Sequence, residues 1–358
     1  MPVVAPVGRT AARMAALLVL TLAVGLGLAP AGAGAAPPTA LLAAAPGQDE
    51  EGGTPALRAQ LEAASKGYVE AKNALDRSVK RQKQLGDQLK TVEAELATRN
   101  ATVGRIAGVA YRKGRLSAAS ALLDSSSPEG FLDRAAALDA VASQEDRALR
   151  ELITTRDEAA KTRLALDAEI REQRKQVAVM GKRKEQAEQA LTVANRKARA
   201  SSTAGSAAPR GTSSKNAAPA KRNSDGSWPS ESCSVNDPTP ANGCITPRTL
   251  HALKQAKAAG FTRYVSCYRP SGSGEHPKGR ACDFAAQKNG FGGVASGGDR
   301  TYGNNLAAFY VRNADRLAVL YVIWYKQIWL PSSGWKAYSG GNGDPSSDHT
   351  NHVHLSVI

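Results

Sequence analysis

From Leu57 onward the apolar residues fall at Leu57, Leu61, Ala64, Tyr68, Ala71, Leu75, Leu85, Leu89, Val92 and Leu96. Polar Ser78 and Gln82 occupy the two places left open, so the steps alternate between four and three without a break. That spacing is the seam of a coiled coil, a stricter repeat than a helix lying on a globular core needs. A second, weaker seam runs Leu149, Leu152, Ala159, Leu166, Ile170, Val177, Met180, Ala187 and Leu191, interrupted by Arg156, Arg163, Gln173 and Lys184. Two long helices with one seam each predict an antiparallel hairpin over residues 50–198. Between them, Ser127 followed by Pro128 reads as a helix cap and a first-turn proline.

A seam of Ala, Leu and Val makes a rod, not a thick core, so the chemistry must be sought elsewhere. Of the 18 aromatic residues, 15 lie between Trp228 and Ile358, including all four Trp, and so do all four cysteines. Residues 200–227 contain no Val, Leu, Ile, Met, Phe, Tyr or Trp. The segment 199–227 is therefore expected to be a flexible linker, with a second domain at 228–358.

The N-terminus has the three parts of a secretory signal peptide: Arg9 and Arg13, an apolar run from Met14 to Leu28, and small residues ending in Ala33-Gly34-Ala35. The run is shorter than the roughly 20 residues that span a bilayer. Residues 1–35 are thus expected to be removed on export, leaving a secreted, extracellular or wall-associated protein. In that compartment the cysteines read as two disulfides. Cys267 ends an expected strand, Arg263–Tyr268, and Cys282 lies in another, Arg280–Ala286. A cross-strand bridge between them leaves Cys233 with Cys244, while the absence of a CxxC spacing disfavours a four-thiolate zinc site.

The formal charge of +15 is spread along the chain: +2 in residues 1–36, +5 in 37–200, +3 in 201–225 and +5 in 226–358. A nucleic-acid reader concentrates charge on one patch with interleaved aromatics, and no such patch exists here. Diffuse positive charge suits an anionic polymer or surface, such as a bacterial cell wall.

In the C-terminal domain, helices are expected at Pro247–Ala259 and Asn304–Arg316. Strands are expected at Ala318–Trp324, at Gln327–Leu330 and at the C-terminus. The fold class is an all-α coiled-coil hairpin followed by an α+β domain with a small antiparallel sheet. Four of the five histidines, His276, His349, His352 and His354, fall in two short segments. Strand alternation puts His352 and His354 on one face. Together with His276 and Asp283 they supply the imidazoles and the carboxylate of a catalytic zinc site that keeps one position open.

The pattern His276-x-x-Gly279-x-Ala281-x-Asp283 with His352-x-His354 resembles the LAS superfamily: lysostaphin-type endopeptidases, VanY-type D-alanyl-D-alanine carboxypeptidases and the hedgehog domain. It is more similar to an actinobacterial VanY-like branch that ends in His-x-x-His-Val-His and carries a Cys-Tyr-Arg-Pro segment, here Cys267 to Pro270. The resemblance implies a zinc-peptidase-like fold and zinc ligands His276, Asp283 and His354. It also implies His352 as a histidine assisting catalysis and Arg269 as the group holding a peptide's terminal carboxylate, a role suited to a two-pronged guanidinium. Where VanY-type enzymes use a glutamate as general base, this chain has Asn351, which cannot take a proton from water. His352, His349 and Asp348 are the groups that could replace it, and Asp348 could instead orient a histidine. The stretch Ala110–Leu116 with Ala121–Arg134 resembles the tip of PcsB-like coiled coils of secreted peptidoglycan hydrolases. That implies a partner for the rod in the membrane-embedded division machinery or a partner hydrolase. The expected function is a zinc peptidase acting on peptidoglycan. The alternative is a non-catalytic wall-binding or hydrolase-regulating module with a vestigial zinc site.

Overall fold

The computed structural model describes residues 53–114, 117–199 and 208–358, which belong to one compact unit. The expected signal peptide, 1–35, lies outside the described residues. No helix among the described residues is long and apolar enough to cross a membrane.

Two helices dominate the N-terminal half: α1, Pro55–Lys113, and α3, Pro128–Arg199, with the short α2, Ser117–Leu123, between them. Thr54 caps α1 by accepting from the Leu57 amide at 3.2 Å, and Gly114 ends it with φ 72°. Ser127 caps α3 as expected, accepting from the Gly130 amide at 3.0 Å. Polar pairs cross between the helices at Arg81–Glu169, Gln82–Gln173, Arg163–Glu93 and Arg99–Glu151. From 81–82 through 93 to 99 on α1 the partners run from 169–173 through 163 to 151 on α3, so the pair is antiparallel.

On α1 the seam is the one the sequence predicts, with Leu57, Leu61, Ala64, Ala71, Ser78 and Val92 buried along it. On α3 the predicted seam holds at Ala159, Ala187 and Leu191 but departs elsewhere. Leu149 and Val177 are exposed, at 48% and 56%, whereas Thr155, Ala159, Thr162, Ala187 and Leu191 are buried. The α3 seam therefore passes through threonines whose hydroxyls donate to Glu151 and Glu158 carbonyls one turn back, at 2.9 Å each. A seam residue that satisfies its own hydroxyl on its own helix need not be apolar.

The C-terminal half is built on a six-stranded antiparallel sheet ordered β3-β4-β8-β5-β6-β7. Its strands are β3 Val265–Ser266, β4 Ala281–Ala285, β5 Val319–Trp324, β6 Gln327–Leu330, β7 Gly334–Ala337 and β8 His352–Val357. A small ribbon of β1, Val235–Asn236, and β2, Cys244–Ile245, precedes α4, Pro247–Ala258. The expected helix at Asn304–Arg316 begins seven residues earlier, as α5 Gly297–Arg312, and breaks at Asn313 before the short α6, Ala314–Leu317. The Asn313 side chain accounts for the break, donating to Phe309 O at 2.9 Å and Lys215 O at 3.1 Å.

The two sheet faces carry different loads. Val353, Leu355, Val357, Phe284, Val322 and Trp324 pack with α4 and α5 into the main core. On the opposite face Tyr321, Ile323, Ile328, Leu330 and Tyr338 pack against Leu57, Leu61, Ala64, Ala187 and Leu191 of the hairpin base. Ile323 and Asp283 both lie directly opposite His354 across the sheet. The face covered by the rod is thus the face that bears the histidines.

Residues 208–227 do not form the flexible linker the composition suggests. Ala217 and Ala220 are buried. The Ala217 amide donates to Asn313 Oδ1 (2.8 Å), that of Ala218 to Gln255 Oε1 (2.7 Å) and that of Ala220 to Arg316 O (2.7 Å). The missing apolar side chains are offset by backbone groups pairing with side-chain amides, and small alanines allow the close approach. The remainder of the expected linker, 200–207, lies outside the described residues.

Candidate metal centre

The segment 275–280 forms a turn closed by two backbone hydrogen bonds, Arg280 N to Glu275 O and Gly279 N to His276 O, each 2.9 Å. Gly279 sits at φ 67°, and a Cβ there would lie 2.8 Å from the Ile245 Cα. Only glycine fits, because both the left-handed backbone and the close neighbour exclude a side chain. The turn delivers His276 beneath the sheet and returns the chain into β4. Two disulfides brace it, Cys267–Cys282 between β4 and the segment after β3, and Cys233–Cys244 behind Gly279, the pairing expected from the strands.

His276, Asp283 and His354 converge with one ligand-type atom each, all within 4.8 Å of one another, and could hold a metal ion. Asp283 Oδ2 is 3.1 Å from His276 Nε2, Asp283 Oδ1 is 2.9 Å from His354 Nδ1, and the two imidazole nitrogens are 3.3 Å apart. The other ring nitrogens are also occupied. His276 Nδ1 bonds to the Cys267 carbonyl, and His354 Nε2 lies 2.7 Å from Ser356 Oγ. Such outer partners fix ring orientation and are the usual surroundings of a ligating histidine. Ser356 was missed in the sequence, although it continues the alternation of His352 and His354 and so shares their face. All three converging residues are at most 2% exposed.

Electrostatics follow from burial and from the crowding of like groups. Burial alone would raise the Asp283 carboxyl, but His276, His352 and Arg269 together hold it well below the usual carboxylate range. His349 is held well below the ordinary histidine range by burial, reinforced by its neighbours His352 and His354. His352 is pushed down to about 4, again by burial, against the pull of Asp283. His349 and His352 are therefore neutral imidazoles at neutral pH, in the form able to accept a proton.

The remaining expected site residues separate. His352 Nε2 is 3.5 Å from Asp283 Oδ1, and the His349 ring centroid is 4.8 Å from that of His352. Arg269 reaches the centre, with Nη1 3.4 Å from Asp283 Oδ2 and its side chain 21% exposed. Asp348 does not join them: its carboxylate pairs with Lys326 Nζ at 2.8 Å, so it neither faces the trio nor orients an imidazole. Lys278 and Arg280 are engaged by Glu275 and by Glu62 of α1, which ties the rod to the turn that carries His276. Burial pushes the Glu275 carboxyl up to about 7, with Glu62 adding to it and Arg280 opposing.

No curated protein and no solved structure matches this chain. Residues 241–353, which include His276, Asp283, Arg269, His349, Asn351 and His352 and stop one residue before His354, are similar to the family described as VldE, C-terminal domain.

Proposed function

We propose that the chain is an exported zinc peptidase that cleaves peptide bonds of peptidoglycan, with a VanY-like catalytic domain on a PcsB-like rod. The observation that carries this reading is the convergence of His276 Nε2, Asp283 and His354 Nδ1, with the other nitrogen of each imidazole already engaged. Two imidazoles and one carboxylate are the donor set of a catalytic zinc site with an open position. When bound, zinc supplies a Lewis acid that polarises a peptide carbonyl and eases deprotonation of water beside it.

The chain's own residues supply the rest. Arg269 holds a substrate carboxylate through two hydrogen bonds in this reading. His352, neutral and 3.5 Å from Asp283, takes a proton from the attacking water. The water oxygen adds to the carbonyl carbon, the C–N bond breaks, and the proton passes from His352 to the departing amine. His349 stands next to His352 as a second neutral imidazole. The disulfides support an oxidising, extracellular location. The exposed Tyr111, Leu123 and Leu132 near the far end of the hairpin support a partner there, in the division machinery or among wall hydrolases.

The deciding experiment is incubation of zinc-loaded protein with purified wall sacculi. D-alanine or muropeptide fragments are expected to appear and to be lost in His354→Ala. Stoichiometric zinc without any released fragment refutes the reading. The alternative, a wall-binding or hydrolase-regulating module, is favoured by Asn351 standing where a glutamate base is expected. It predicts sacculus binding without turnover.

A further inference from the structure

We infer that Asn351 is a positioning residue that fixes the tautomer of His352 and leaves His352 Nε2 as the proton-accepting atom of the site. Asn351 is 1% exposed, and each polar atom of its side chain has a partner. Its Nδ2 donates to the Gly292 carbonyl at 2.8 Å and to Ser346 Oγ at 2.9 Å. A carbonyl oxygen only accepts, so the amide has one workable orientation: a flipped amide would set two acceptors against each other. That orientation turns Oδ1 toward His352 Nδ1, 2.7 Å away. An amide oxygen also only accepts, so the proton of that bond resides on Nδ1.

A neutral imidazole with its proton on Nδ1 carries its lone pair on Nε2. His352 Nε2 is buried, has no hydrogen-bond partner, and lies 3.5 Å from Asp283 Oδ1. Without Asn351 the carboxylate would favour the opposite tautomer, with the proton on Nε2 facing Asp283 and no lone pair left toward the site. The asparagine thus replaces a missing carboxylate base indirectly, by making the adjacent histidine present the correct nitrogen. The tautomer assignment stands on hydrogen-bond geometry alone, while its catalytic meaning rests on the peptidase reading above.

The test is NMR of the imidazole nitrogens in the full chain with labelled histidine, with and without zinc, alongside sacculus hydrolysis. Wild type is expected to show His352 protonated on Nδ1. Asn351→Leu is expected to move the proton to Nε2 and to lower kcat about 10- to 100-fold, the usual effect of removing such an outer partner, with KM unchanged. Asn351→Asp keeps an acceptor facing Nδ1 but sets its second oxygen against the Gly292 carbonyl, so it is expected to retain the wild-type tautomer while losing stability. An Nε2-protonated His352 in the wild type overturns the inference, and that arm needs no variant to fold. So does a fall in kcat in Asn351→Leu with the tautomer unmoved. If the tautomer behaves as expected but no sacculus fragment is released, the positioning role stands and the peptidase reading fails.

Discussion

Leu61 lies in the joint between the rod and the C-terminal domain. It is 2% exposed and borders a small enclosed gap lined by Arg58, Tyr321, Ile323, Ile328 and Tyr338. Leu61→Ala removes three carbons. At about 0.8 kcal/mol per buried methylene the transfer loss is about 2.4 kcal/mol. The cavity adds to that, because one side of the site is sheet and cannot collapse, which places the total at about 3–4 kcal/mol, within the range of buried leucine truncations. At roughly 2–4 °C per kcal/mol, the figure for large domains, the thermal midpoint falls by about 6–16 °C. The assay is urea unfolding of the full chain followed by far-UV and tryptophan signals, with Leu164→Ala on the exposed side of α3 as control. Wild type is expected to unfold with both signals together and Leu61→Ala at lower urea. A loss under about 1 kcal/mol refutes the idea that this contact joins the two halves, as does a variant whose tryptophan transition is unmoved.

Other consequences follow from the same geometry. Chelator-treated protein should lose stability as pH falls from about 6.5 to about 4: unfolded His352 binds a proton near 6.5 while the buried one resists until about 4. The unfolded state therefore holds more protons in that window and stability rises with pH. The contribution is about 3 kcal/mol, and equal urea midpoints at pH 7 and pH 4.5 would count against the burial argument. Replacing Cys267 and Cys282 by serine opens a loop of 15 residues and should cost about 3 kcal/mol by denaturant titration. No loss would mean that the sheet alone holds the His276 turn. Arg269→Lys keeps the charge but not the fork, so it should raise KM about tenfold for substrates with a free terminal carboxylate, about 1.4 kcal/mol, and leave kcat largely intact. An equal effect on substrates lacking that carboxylate would remove Arg269 from the binding role.

The α1 seam was legible because its apolar residues keep register themselves, whereas on α3 the register is kept by Thr155 and Thr162, which a search for apolar residues passes over. The strands β4 and β8 were legible from their apolar content and alternation. The start of α5 at Gly297 was not, since Gly297, Gly298 and Gly303 look like a loop; Gly303 stands inside the helix because the Trp324 ring packs where a side chain would be. The cluster of His276, Asp283, His352 and His354 was visible from spacing, since Gly279 betrays the turn and His352 and His354 alternate onto one face, whereas the choice of His276, Asp283 and His354 as ligands came from the family resemblance. Two features depended on folding. Asp348, adjacent in sequence to His349, turns to Lys326. Asn351 seemed a defect when read against a glutamate, and its hydrogen bonds to Gly292, Ser346 and His352 depend on loops that sequence spacing does not place. The strap at 208–227 escaped for the same reason, because its anchors Asn313, Gln255 and Arg316 are distant in sequence.

The central claim is that His276, Asp283 and His354 form a zinc site, and elemental analysis of the purified full chain tests it most directly. After equilibration with zinc and removal of the excess, wild type should retain about one zinc per chain and Asp283→Ala essentially none, since a three-residue site loses its only carboxylate. Wild-type protein that retains no zinc, or an Asp283→Ala variant that retains as much as wild type, contradicts the account.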